Sequence, residues 1–193
     1  DKMRKIVIGF TAVWLGIMAG VLWAQDLDWD DLSRGNHNAQ AILVDPNNSK
    51  IIFTGIAGNI LRSEDAGKSW RVVLSIRSGM REIKALAMTP SDYNVVYAAT
   101  DNGLCRSNSL GGRWDRIFRG KNNSENQCSA VLNTPVALFA GTSAGLFISR
   151  DNGRSWDKEI KIIGNTAILN LDFCHNQGSV IYLAATSGIF KSL

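Results

Sequence analysis

Two histidines, three cysteines and three prolines are all that 193 residues hold of these types, and each scarcity excludes something. His37 and His175 are far apart, and Cys105, Cys128 and Cys174 form no C-x-x-C pair, so no zinc-type ligand set and no cofactor-binding motif is present. So few prolines, and no Gly/Ser-rich tract, leave no room for a low-complexity linker. Excess charge is also lacking. The formal net charge is +4, and removing the first 24 residues, which hold Asp1, Lys2, Arg4 and Lys5, leaves 18 basic against 16 acidic groups, or +2. With no basic stripe interleaved with aromatics, nucleic acid is not an expected partner.

Long apolar runs are absent except for one. Ile6 to Trp23 carries no charge, follows Met3-Arg4-Lys5, and ends at Ala24-Gln25. A basic start, an apolar middle and a small residue at the cut make a secretory signal peptide over residues 1–25; left uncleaved, it is a membrane anchor, since 18 helical residues span roughly 27 Å. The chain is therefore expected to be exported, periplasmic or extracellular, and to touch a membrane only through this segment.

What is present is repetition. SEDAGKSW (63–70), SNSLGGRW (107–114) and SRDNGRSW (149–156) are one motif written three times, with tryptophans 44 and 42 residues apart. A period in the forties built from short β-type runs matches one propeller blade, and each unit reads as four strands separated by turn chemistry. The motif has a local logic. Asp65 and Asp151 can fold their carboxylates onto turn N–H groups, and the hydroxyls of Ser63, Ser107 and Ser149 can close the hairpin. Gly67, Gly111 and Gly153 stand where a tight hairpin needs positive φ, while Trp70, Trp114 and Trp156 offer a large face to bury against an adjoining blade. The second copy replaces the aspartate by Ser109 and the second hydroxyl by Arg113, a loss that a turn tolerates and a catalytic aspartate does not.

This pattern resembles the Asp-box, or BNR, repeat (S-x-D-x-G-x-[ST]-W) of the sialidase and sortilin-like superfamily, over Ala39 to Leu193. The unit style, with a DP or TP turn, a Tyr/Phe-Ala-[AG]-Thr strand and a Gly-[IL]-[FLC]-x-Ser strand, looks most like the photosystem II assembly-factor-like propellers. The resemblance implies an all-β fold, a β-propeller of four-stranded blades at 39–78, 83–120, 128–165 and an incomplete 167–193. Such propellers need six to eight blades, so a truncated arc of about four is expected. Residues 26–38 are the N-terminal segment, in which Asp28 to Leu32 imitates an outer strand and is a candidate closing strand.

Strand direction sorts the loops. The DP-type turns and the boxes share one end of the blades; the glycine turns and blade-to-blade links share the other. Binding groups concentrate on loops carried by a rigid scaffold, and the second end is somewhat basic. Arg77, Arg81, Arg116 and Arg119 form the candidate face for a protein or other anionic ligand, joined by Lys121, Lys158 and Lys161 and diluted by Glu82, Glu125 and Glu159. No catalytic set is legible. Asp101 sits in a DNG turn, Asp172 near the far end of an innermost strand, and no Arg-Ile-Pro segment occurs. Cys128 opens one innermost strand and Cys174 closes the next, so parallel running separates the thiols beyond the roughly 7 Å that a disulfide allows. The expected function is an exported, non-catalytic binding or assembly scaffold; the alternative is a fragment of a secreted sialidase-like or xyloglucanase-like glycoside hydrolase.

Overall fold

The computed structural model describes residues 30–32, 38–76, 82–174 and 180–192. The leader-like segment 1–25, and all of 26–38 but Asp30, Asp31, Leu32 and Asn38, lie outside the described residues. The chain divides into residues 1–31 and a compact unit from Leu32 to Leu193, and every strand belongs to the second.

Alternating apolar residues build four antiparallel sheets in sequence order. Blade 1 is β1 (Ala39–Asp45), β2 (Asn48–Ile56), β3 (Asn59–Ser63) and β4 (Arg71–Ser75). Blade 2 is β5 (Ile83–Thr89), β6 (Asp92–Thr100), β7 (Gly103–Ser107) and β8 (Asp115–Phe118). Blade 3 is β9 (Cys128–Asn133), β10 (Leu138–Thr142), β11 (Gly145–Ser149) and β12 (Asp157–Glu159). Blade 4 holds β13 (Ile168–Cys174), β14 (Val180–Ala185) and β15 (Gly188–Lys191). One turn of helix, α1 (Asn123–Asn126), interrupts the link between β8 and β9, where the sequence reads only as a connection.

The fold is all-β, a β-propeller arc. β1 packs beside β5, β5 beside β9 and β9 beside β13, with no comparable packing of β13 on β1. Period-two alternation sends successive side chains to opposite faces, so blades 2 and 3 each feed two cores and blades 1 and 4 one each. Phe53 and Ile60 of blade 1 meet Ile83, Val96 and Ala98 of blade 2. Tyr97, Leu104 and Phe118 of blade 2 meet Val131, Ala140 and Phe147 of blade 3. Phe139 and Leu146 of blade 3 meet Ile168, Leu171 and Leu183 of blade 4.

Close approach at the innermost strands demands small residues. A Cβ on Gly55 would lie 2.5 Å from the Ile83 Cβ, and one on Gly141 would lie 2.6 Å from the Ile168 Cγ2. Between blades 2 and 3 the glycine's place is taken by Ala99, and the facing isoleucine's by the smaller Cys128. Each innermost strand also carries one bulged residue near its start: Gln40, Lys84, Ser129 and Leu169.

Candidate functional site

Antiparallel order places the β1–β2, β5–β6 and β9–β10 turns and the three box hairpins at one end of the blades. The β2–β3, β6–β7 and β10–β11 turns and the links between blades lie at the other. The two ends have different chemistry.

At the box end the polar groups serve the hairpin itself. The buried Ser63 hydroxyl donates to the Asp65 Oδ1 at 2.8 Å and accepts from the Gly67 N–H at 2.8 Å. Asp65 in turn accepts from the Ser69 N–H at 2.8 Å and the Ser69 hydroxyl at 2.6 Å. Blade 3 repeats the network: Ser149 to Asp151 at 2.8 Å, Gly153 to Ser149 at 2.7 Å, and the N–H and hydroxyl of Ser155 to Asp151 at 2.9 and 2.5 Å. These donors, the Ser69 hydroxyl foremost, hold the Asp65 carboxyl down at about 2, and those on Asp151 hold it lower still. In blade 2 Ser107 accepts from Gly111 at 2.9 Å, while Ser109 accepts from the Arg113 N–H at 2.9 Å with a hydroxyl in place of the carboxylate.

The backbone of the box holds two successive left-handed residues, not one. Ala66, Leu110 and Asn152 have φ of 60°, 50° and 60°, followed by Gly67, Gly111 and Gly153 at 87°, 84° and 86°. The glycines are needed twice over. A Cβ on Gly111 would meet Phe53 of blade 1 at 2.8 Å, one on Gly153 would meet Ile117 of blade 2 at 2.8 Å, and one on Gly67 would meet Leu32 at 2.7 Å.

The boxes of blades 2 and 3 are therefore also joints to the preceding blade. The Trp156 ring lies edge-on to Phe118 at 5.1 Å and its Nε1 donates to the Ile117 carbonyl at 2.9 Å. Trp114 packs into the core between blades 1 and 2, with its Nε1 shielded and unpartnered. Trp70 lines an open apolar hollow of about 160 Å³ with Leu32, Ile42, Ile52, Ile56 and Leu61. Two arginines bridge in the opposite sense. Arg62 donates to the Leu110 carbonyl of the next box at 2.8 Å, and Arg106 to the Asn152 carbonyl at 2.7 Å. Sequence reading missed this pair, although both precede a box serine; Ile148 in the same place of blade 3 hides the rule.

The link end carries exposed basic groups. Arg116 donates to the Asn102 Oδ1 at 2.9 Å, which fixes its guanidinium beside the β6–β7 turn, and Arg119 is exposed. Arg77 and Arg81 lie outside the described residues, so the candidate face is represented by Arg116 and Arg119. Beyond them, α1 closes one side of a polar cleft of about 610 Å³ lined by Asn122, Ser124, Glu125, Ser143, Lys158 and Asn165. The N-cap Asn122 accepts from the Glu125 N–H at 3.0 Å, and Glu125 accepts from the Lys121 N–H at 2.7 Å while its other oxygen lies 3.8 Å from the Lys158 Nζ. The cleft is lined by polar side chains, of which Asn122, Glu125 and Lys158 are engaged with one another or with nearby backbone.

Asp101 stands in the turn beside Arg116. Both its oxygens are shielded from solvent, and burial pushes its pKa up, with the Glu82 charge adding to the rise and the nearby backbone N–H groups of Glu82 and Asp101 opposing it. Asp172 lies in blade 4, two residues from the box-side end of β13, so strand direction puts these two carboxylates at opposite ends of different blades. Among the described residues no group of three His, Cys, Asp or Glu is placed to hold a metal. His37 and His175 lie outside them. All three cysteines are free; Cys128 opens β9 and Cys174 closes β13, and burial raises the Cys105 thiol to about 11 and Cys128 further.

No protein-family model and no curated protein matches the sequence. Solved structures do match. The GH74 xyloglucanase of Xanthomonas campestris is similar at 18% identity and a TM-score of 0.60, over 79% of this chain and 29% of that one. An auxiliary nutrient binding protein of Bacteroides thetaiotaomicron is similar at 14% identity and a TM-score of 0.56, over 80% of this chain and 38% of the other. The computationally designed Ika4 protein is similar at 14% identity and a TM-score of 0.56, over 80% of this chain and 90% of its own. The chain thus spans less than two-fifths of the two natural proteins. At such identities the likeness is one of fold.

Proposed function

We propose that this chain is an exported binding or assembly scaffold of the Asp-box type, in the style of the photosystem II assembly-factor-like propellers, that takes an acidic protein segment on its link end. The observation that carries this reading is the division of labour between the two ends. Both box carboxylates are consumed by their own hairpins, whereas the opposite end presents Arg116, Arg119 and an open polar cleft with Lys158 in its wall. Arginine suits the task, since its planar fork pairs carboxylates bidentately. The basic, apolar, small-residue order of residues 3–25 supports export.

A glutamate-rich peptide titrated calorimetrically should bind and should weaken steeply with salt, because exposed charges are screened beyond about 8–10 Å at ordinary ionic strength. Replacing both Arg116 and Arg119 by alanine should reduce the affinity without altering the melting temperature. Unchanged binding would return these residues to solvated surface charge. The alternative, a glycoside hydrolase, is favoured by the shared fold of the xyloglucanase. Release of reducing sugar from xyloglucan or a sialoside would decide for it.

A further inference from the structure

The link from β8 to β9 is a loop closed on itself by its own side chains. Asn126 takes the Gly120 N–H on its Oδ1 at 3.0 Å and gives its Nδ2 to the carbonyls of Gly120 and Asn122, at 3.4 and 2.9 Å. Inside that closure the Asn122 Oδ1 accepts from the Glu125 N–H at 3.0 Å, and the Glu125 Oε2 accepts from the Lys121 N–H at 2.7 Å. Blade 3 pins the loop twice. The Gln127 carbonyl accepts from the Ser143 N–H at 3.0 Å, and the Glu125 Oε1 lies 3.8 Å from the Lys158 Nζ, itself 5.6 Å from the centre of the Phe147 ring. No slack remains at Gly120, where a Cβ would stand 2.2 Å from the Glu125 Cβ.

The loop's one carboxylate is buried and spent inward. It holds the backbone of Lys121 and the ammonium of Lys158, and leaves the Lys121 side chain uncompensated. Arg119 and Lys121 are both exposed, and among the described residues neither side chain has an ion pair or a hydrogen bond. By contrast, Arg71, Arg113 and Arg150 at the box end meet Glu64, Asp115 and Asp157 at 3.0, 3.5 and 3.7 Å. Two free cations thus stand on a backbone that has already given up its freedom. Ordering loops and side chains is a large part of what association costs, so charges held this way lose less entropy when they bind.

We infer, on the reading that this chain takes an acidic protein segment at its link end, that residues 119–127 are the preordered loop that meets it. Arg119 and Lys121 are the contacting cations, and Glu125 and Asn126 are positioning residues that act through the loop backbone. The role of Glu125 has a sign that charge alone does not give. Deleting a carboxylate beside a site for an anion strengthens anion binding through simple electrostatics. Deleting this one also frees the Lys121 N–H and loosens the loop from Lys158, which weakens it.

Calorimetric titration of a glutamate-rich peptide into the full chain and its variants tests this, with circular dichroism to check that each variant is folded. Glu125→Ala should weaken binding by roughly three- to tenfold, although it makes the protein less acidic. Glu125→Gln, whose amide oxygen can still accept from the Lys121 N–H, should restore the wild-type affinity or exceed it. Asn126→Ala changes no charge and should weaken binding as Glu125→Ala does. Lys121→Ala should weaken it and also reduce its salt dependence. Before peptide is added, the Gly120 and Lys121 amides should exchange slowly in the wild type; Asn126→Ala should release the first and Glu125→Ala the second. Tighter binding by Glu125→Ala would overturn the inference and leave the acidic partner in place, since bulk charge would then account for the whole effect. Loop amides that exchange freely in the wild type would overturn it as well. A wild type that binds no acidic peptide would remove the partner itself, and the loop's assignment with it.

Discussion

The Trp156 Nε1 and the Ile117 carbonyl oxygen are 2.9 Å apart across the joint between blades 3 and 2, so the third box is fastened to the blade before it by a polar bond as well as by ring packing. Trp156→Ala should therefore cost about 3–5 kcal/mol, the range for deleting a packed aromatic. Trp70 holds the same place on a face with no blade before it among the described residues, and Trp70→Ala should cost less than half as much. Urea midpoints at constant m-value provide the comparison. Equal losses at the two positions would place the tryptophan's contribution within its own blade.

Gly141 faces Ile168 with no room for a methyl group, whereas Ala99 belongs to a joint that has cysteine in the isoleucine's place. Gly141→Ala should destabilise by about 1–3 kcal/mol through overpacking. Combined with Ile168→Cys, the loss should fall short of the sum of the single losses by about 1 kcal/mol, since residues in contact couple. A double-mutant cycle reads this directly, and strict additivity would mean that the backbone moves to admit the methyl.

The blades and the box serines, aspartates and glycines were legible because each reflects a local requirement repeated at a fixed period. What crosses from blade to blade was less so. Nothing about Ala66 or Leu110 suggests a left-handed backbone; the box imposes it, and only Asn152 suits the conformation by its own chemistry. Arg62 and Arg106 send no local signal, because their acceptors lie 48 and 46 residues onward. The link-end cleft depends on a one-turn helix too short for any periodicity to announce. Trp70 illustrates the same limit: its motif is intact, yet its surroundings differ from those of Trp114 and Trp156.

The box aspartates set an acid limit. Their pKa values are depressed in the folded chain, from an ordinary 3.8 to about 2 for Asp65 and lower for Asp151. A depressed carboxylate contributes stability that is complete above its unfolded value and is lost as pH falls through the folded one. Stability should thus decline from about pH 4 down to pH 2 and below. Replacing Asp65 and Asp151 by asparagine should flatten that part of the curve while lowering stability at pH 7, as denaturant midpoints taken from pH 2 to pH 7 will show.

Asp101 should behave in the opposite sense. Its pKa is raised by burial, so the charged form is disfavoured in the folded chain at neutral pH and the penalty disappears in acid. Asp101→Asn should raise the melting temperature at pH 7 and have little effect near pH 3. A lower melting temperature at pH 7 would show that the carboxylate has a partner that the asparagine cannot replace.

Because the sheets follow chain order and each core joins only consecutive sheets, the molecule is energetically a line rather than a sphere. Among the described residues blades 2 and 3 are held from both sides, while blades 1 and 4 have one joint each and blade 4 has three strands. Opening should begin at the ends and move inward, blade 4 first, so that amide exchange is fastest in β15 and slowest in β6 and β10. A partner that covers an end would slow exchange there before anywhere else, and the profile along the chain would reveal which end it holds.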